Sequence, residues 1–185
     1  MAIFTIDAGH GGSDPGACNP TTGTRECDIA LAVTFELKGI LEGQGHEVHL
    51  TRSTDVDVYG PDASVSEECG ARCDISNAAN SDVCISIHCN AFSDPSAHGT
   101  ETFAYANSPR GAQLAQAIDA NLVALGLTAR NTDKFKPLYM TKHPDAVAVL
   151  VELAFITNPA EEQLLLTRQW ALANCIALGV NTYLA

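Results

Sequence analysis

Apolar residues fall along this chain in short unbroken runs separated by longer stretches with helical periodicity, and that alternation sets the reading of the fold. Residues 2–7 (AIFTID) form an apolar run that opens into AGHGG, the pattern of a buried strand ending in a glycine loop. Apolar runs recur at 83–88 (VCISIH) and 146–152 (AVAVLVE), a further strand is predicted over 47–52, and 99–106 (GTETFAYA) alternates as a strand does. Between them, Ile29, Ala32, Val33, Leu37, Ile40 and Leu41 share one face of a helix predicted over 25–41, with Gly43 and Gly45 as its stop. Helices are also predicted over 67–80 and over 109–125, where Leu114, Ala117, Ile118 and Leu122 share a face. A loop rich in Thr, Asn and Lys precedes the last strand. The final helix starts at Asn158-Pro159, with Pro159 where its missing N–H costs nothing, and runs to about 183, continuous or broken.

Strands alternating with helices of this length predict an α/β domain with a mostly parallel sheet covered on both faces. The 185 residues fit one domain, 1–185, long enough to bury roughly 70% of the surface of the unfolded chain. Apolar residues make up 46% and aromatics 6%, so an aliphatic core is expected. With only 17% charged residues and apolar runs throughout, an ordered chain is expected. No run approaches the ~20 apolar residues of a membrane span. Strand-like residues stand at the N-terminus with no basic and apolar leader before them, so no signal peptide is expected.

Charge narrows the partners. Ten Lys and Arg against 22 Asp and Glu give a net charge of −12, which repels a phosphate backbone and argues against nucleic acid. The seven cysteines (Cys18, Cys27, Cys69, Cys73, Cys84, Cys89, Cys175) lack zinc-ribbon spacing, and their odd number leaves at least one unpaired within the chain. Buried free thiols are the simple reading, and a Cys18–Cys27 disulfide is the alternative.

The candidate chemistry collects at strand ends. His10 follows the first strand, His88 ends the third and Glu152 ends the last, while Glu26 opens the first helix just beyond the His10 loop. Ligands of open parallel sheets bind outside the carboxyl ends of the strands, where these groups would converge. Taken singly, His10 fits a turn residue and Glu26 an acid favoured by the helix dipole. A titratable ring after VCISI and a carboxylate after AVAVLV are costlier to bury without a function. Two His and one Glu form a ligand set for catalytic zinc with a fourth position for water, and a further carboxylate would then serve as acid and base.

The motifs IDAGHGGSDPGA at 6–17, Glu26 at the helix start, SIHCNA at 86–91 and LVELAFITN at 150–158 resemble the type 3 N-acetylmuramoyl-L-alanine amidases, the zinc enzymes of bacterial autolysins and phage endolysins. Thr51–Arg52, the pattern of Arg72 with Asn77-Ala78, and Gly99–Thr100 with Tyr105 extend the resemblance over essentially the whole chain. It implies a roughly six-stranded sheet flanked by helices. It further implies one zinc ion on His10, Glu26 and His88, with Glu152 as catalytic acid and base, and a weaker role for Asn90 in shaping the substrate groove. The bond implied is the amide joining the lactyl group of N-acetylmuramic acid to the L-alanine of the peptidoglycan stem. His46, His49, His98 and His143 match no motif and are read as surface or structural. Unlike the gram-negative division amidases of this family, the chain carries no inserted helical segment long enough to block the metal. A Cys89 thiol beside a ligand could compete for the metal, although strand neighbours point to opposite faces.

The same site would also serve a zinc peptidase cutting within the stem, and a wall-binding module without catalysis is the non-enzymatic alternative. Against the latter, all four key positions hold competent residues. The expected place of action is the bacterial cell wall, as a released phage lysin or as the domain of a secreted protein. An acidic surface is repelled by anionic wall polymers, so tight retention there would call for a separate binding module.

Overall fold

The computed structural model describes residues 1–130 and 134–185. Five strands form a single sheet: β1 (Ile3–Ala8), β2 (Glu47–Leu50), β3 (Val83–Asn90), β4 (Glu101–Ala104) and β5 (Val147–Phe155). Their order is β2-β1-β3-β5-β4, with every neighbouring pair parallel except β4 against β5. The apolar pattern located each strand. The sixth strand implied by the family resemblance is absent among the described residues.

Six helices accompany the sheet: α1 (Glu26–Gly43), α2 (Val65–Ala78), α3 (Pro109–Ala124), α4 (Tyr139–Lys142), α5 (Pro159–Thr167) and α6 (Gln169–Leu184). Helix α1 runs through Gly43 and ends at Gln44, and the turn is made by Gly45 at a φ of 85°. Helix α2 starts two residues before its predicted position, because Ser64 and Glu67 form a reciprocal capping box. The Asn158 side chain accepts from the backbone N–H groups of Ala160 and Glu161, and Pro159 sits inside the start of α5. The predicted final helix is divided at Arg168, where the backbone leaves the helical region and α6 begins. Within the loop predicted between α3 and β5, residues 131–133 lie outside the described residues. The short helix α4 lay unrecognised in it.

Both faces of the sheet are covered. Helices α1, α3 and α6 bury Ile29, Val33, Leu37, Leu114, Ile118 and Ile176 against Phe4, Ile6, Ile85, Ile87, Val149 and Val151. On the other face α2 and α4 contribute Cys73 and Met140 to a smaller cluster with Cys84, Phe103, Ala148 and Leu150. Burial on this scale, at about 25 cal/mol per Å² of apolar surface, is the main force holding the layers together. All seven cysteines are free thiols, five of them buried, so the Cys18–Cys27 bridge is not formed. No helix among the described residues is long and apolar enough to cross a membrane.

Candidate metal centre

The parallel order of β1, β3 and β5 brings three carboxyl ends to one side of the sheet, and the site is built there. Strand β1 delivers the chain into a loop in which His10 takes a φ of 59°, a left-handed conformation uncommon outside glycine. The loop then folds back on α1. The Ala17 carbonyl accepts from the Glu26 N–H at 2.8 Å, and the Pro15 carbonyl from the Cys27 N–H at 3.2 Å. The start of α1 is thereby pinned beside His10.

His10 Nε2 lies 3.2 Å from Glu26 Oε1, and His88 Nδ1 lies 2.8 Å from the same oxygen. Each of the three residues offers a ligand atom within 4.8 Å of the other two. Glu26 is held at both oxygens: Oε2 accepts from the Ala17 N–H at 2.8 Å, and Oε1 from the Cys89 N–H at 3.0 Å. His10 Nδ1 meets Asp14 Oδ2 at 2.6 Å, which turns the other ring nitrogen toward the cluster. A carboxylate behind a ligating imidazole is the usual outer partner of a metal-bound histidine.

Close packing fixes these side chains. A Cβ at Gly16 would stand 2.6 Å from the His10 ring and 2.7 Å from Glu26 Oε2, at a φ of 66° that itself favours glycine. A Cβ at Gly9 would stand 2.4 Å from the His88 ring. The glycines of the AGHGGSDPG loop thus admit the two imidazoles and the carboxylate.

Burial alone would favour neutral forms, yet the cluster is charged without a metal. Burial lowers the affinity of His10 for its proton, but the bonds to Glu26 and then Asp14 override it and raise its pKa to about 9. Glu26 is likewise desolvated, and its contacts with His10 and His88 hold it well below the usual carboxylate range. Two imidazoles and an ionised carboxylate, preassembled and short of donors of their own once deprotonated, fit a zinc ion in their chemistry and number.

Glu152 completes the group. It is the register partner of His88 across β3 and β5, so the two side chains leave the sheet on the same face. Its Oε2 is buried with no hydrogen-bond partner among the described residues. Burial, with help from Glu26 and Glu101, raises its pKa to about 7 against the opposing pull of His88. Asn90 follows a register shift at the end of β3 and donates to Glu101 Oε1 at 2.7 Å, on the wall of the cavity that Glu152 lines. Cys89 points away into the main core, and burial raises its thiol pKa well above the ordinary value, so it stays protonated.

The other histidines stand apart from this group. His46 Nδ1 accepts from the Ala2 N–H, His49 pairs with Glu47, His98 Nδ1 meets the Ser96 carbonyl, and His143 stacks on Tyr139.

Residues beyond the predicted set support the loop. Asp7, buried at the end of β1, binds Thr51, Arg72 and Ser86. Arg52 donates to the carbonyls of Ala8, Gly9 and Cys27, and Arg72 to those of Ala8 and His10. The motif positions Thr51–Arg52 and Arg72 therefore tether the backbone that carries His10. Asp14 stands four residues after His10, a spacing the sequence displays, but only the fold of the loop reveals the pairing.

A mostly parallel α/β sheet thus gathers two His and two Glu beyond the carboxyl ends of its strands, and three of them form a candidate metal-ligand group. The N-acetylmuramoyl-L-alanine amidase family model matches residues 4–182, and the chain belongs to that family. It is 30% identical to N-acetylmuramoyl-L-alanine amidase AmiC of Neisseria meningitidis, over 98% of this chain and 52% of the relative. The chain thus spans about half the length of that protein. Their alignment runs over 230 residues, so the relative carries extra residues inside the matched region. The chain is also 30% identical to the germination-specific N-acetylmuramoyl-L-alanine amidase of Bacillus subtilis, over 88% of this chain and 70% of the relative. Among solved structures, the CwlD amidase of Clostridioides difficile, in complex with the GerS lipoprotein, superposes with a TM-score of 0.91. It is 31% identical, covering 100% of this chain and 98% of that one.

Proposed function

We propose that residues 1–185 form the catalytic domain of a zinc-dependent amidase that cuts peptidoglycan between the lactyl group of N-acetylmuramic acid and the L-alanine of the stem peptide. The observation that carries this reading is the meeting of His10, Glu26 and His88 at one point with Glu152 beside His88. Family membership supports the choice of bond.

His10 Nε2, His88 Nδ1 and Glu26 would hold the ion, and Asp14 fixes the His10 ring. Bound there, zinc supplies an acidified water and polarises the carbonyl of the amide. Glu152 is poised to take a proton from the attacking water, because it stands beside His88 and its burial favours the protonated form. The same carboxyl then hands the proton to the alanine nitrogen, which leaves as the new N-terminus of the stem. Asn90 lines the groove next to it.

Mass spectrometry of wall digested by the zinc-loaded protein tests the reading. Glycan strands free of peptide, together with intact stem peptides beginning at alanine, are expected. Fragments cut between amino acids would point instead to a peptidase, and an unchanged wall to a module that only binds.

A further inference from the structure

The two sides of the centre differ in charge. On the α2 side, a cavity of about 310 Å³ is lined by four carboxylates, Asp7, Asp14, Asp57 and Glu68, against one cation, Arg72. On the other side, a cavity of about 380 Å³ is lined by Glu152, Asn90, Glu101, Phe155 and two cations, Arg130 and Lys136. A chain with 10 basic and 22 acidic residues has placed two of its few cations together beside the proton-handling carboxyl.

These cations are held in place. Arg130 Nε donates to Glu101 Oε1 at 3.0 Å and Nη1 to the His98 carbonyl at 3.2 Å, while the guanidinium lies 4.6 Å from the centre of the Phe155 ring. Lys136 Nζ sits 4.2 Å from the centre of the Phe103 ring and has no carboxylate partner among the described residues. Glu101 offsets the charge of Arg130 but orients its fork, and Lys136 adds a second positive charge to the same cavity. A planar fork and an ammonium lining one cavity match a carboxylate.

The direction of the reaction points the same way. A group that protonates the departing nitrogen must stand where the peptide leaves, and Glu152 lines the cavity that holds Arg130 and Lys136. The stem peptide therefore extends into this side and the glycan toward the acidic one. The residue after the scissile L-alanine is an acidic amino acid joined through its side chain, so its α-carboxylate is presented free or as a carboxamide.

We propose that Arg130 and Lys136 form a carboxylate subsite that binds the α-carboxylate of the second stem residue, so that this protein selects stems in which that group is not amidated. This inference rests on the amidase reading above. The test compares two soluble muropeptides, identical except that the second residue carries a free carboxylate or a carboxamide. Both are given to the zinc-loaded protein, to Arg130→Gln and to Lys136→Gln.

The native protein is expected to favour the carboxylate substrate by roughly tenfold or more in kcat/KM, mainly through KM, the size of a lost charged hydrogen bond. Each variant is expected to lose that preference, its kcat/KM for the carboxylate substrate falling toward that for the carboxamide. Arg130→Gln leaves buried Glu101 without its guanidinium and could unfold, whereas exposed Lys136→Gln keeps the test decisive. Equal cleavage of both substrates by the native protein, or an intact preference in Lys136→Gln, would overturn the subsite alone. Cleavage of neither substrate would overturn the amidase reading, and the subsite with it.

Discussion

His88 and Glu152 are direct partners in the parallel register of β3 and β5, so the candidate metal ligand and the candidate proton carrier stand side by side on the sheet. Neighbouring strands lie about 4.8 Å apart, which ties the spacing of these two groups to backbone hydrogen bonds rather than to a loop. The pairing predicts that Glu152 can be changed without disturbing the metal.

Glu152→Gln is nearly isosteric and cannot carry the proton. Wall hydrolysis by this variant should fall by about 10²–10⁴-fold, the usual worth of a positioned acid–base group, with its zinc content unchanged. Turbidity loss of purified wall suspensions measures the effect. A native rate in this variant would remove the role assigned to Glu152.

A zinc ion held by His10 would have to compete with a proton there. This imidazole titrates at about 9 in the metal-free protein, held up against burial by Glu26 and Asp14. The ligand form is neutral, so zinc affinity should rise by up to about tenfold per pH unit from pH 6 toward pH 9, with proton release on binding. Chelator competition at several pH values measures it. Affinity independent of pH would mean that His10 does not bind the ion.

The metal-free protein should carry a pH-dependent cost at Glu152. Its pKa rises from 4.5 to about 7 on folding, so the folded state holds the proton more tightly than the unfolded one. Stability is therefore lost as pH rises through this window, by about 3 kcal/mol once both states are ionised. In chelator, Glu152→Gln should unfold near the native temperature at pH 4.5 and at a clearly higher temperature at pH 8. Equal melting of the two proteins at pH 8 would contradict the shift.

Arg72 reaches Asp7 at 2.8 Å inside the protein, where Asp7 also binds Thr51 and Ser86. Burial disfavours the Asp7 charge, and Arg72 is the strongest influence keeping it ionised. Arg72→Met leaves that charge unpaired, which costs about 3–5 kcal/mol and corresponds to roughly 10 °C in Tm for a domain of this size. Thermal unfolding measures it. An unchanged Tm would mean that the pair contributes little.

The strands and the long helices were legible because each carries its own period: VCISIH and AVAVLV are short and wholly apolar, and Leu114, Ile118 and Leu122 mark a helical face. His88 and Glu152 were legible as polar residues that end such runs, whereas His10 in its glycine loop and Glu26 at a helix start were marked by the family resemblance. Other features depend on the assembled structure. Helix α4 has four residues, too few to show a period. The division at Arg168 interrupts a stretch whose apolar pattern continues on both sides. Asp14, Glu101 and Arg130 act through partners that only the folded loops bring near.

In the proposed function, His10, Glu26 and His88 hold one zinc ion while Glu152 acts beside it without binding it. Elemental analysis of zinc per chain in the native protein, Glu152→Gln and His88→Ala tests this most directly. One ion is predicted in the native protein and in Glu152→Gln, with none in a folded His88→Ala. Full zinc in His88→Ala, or none in the native protein after loading, would contradict it.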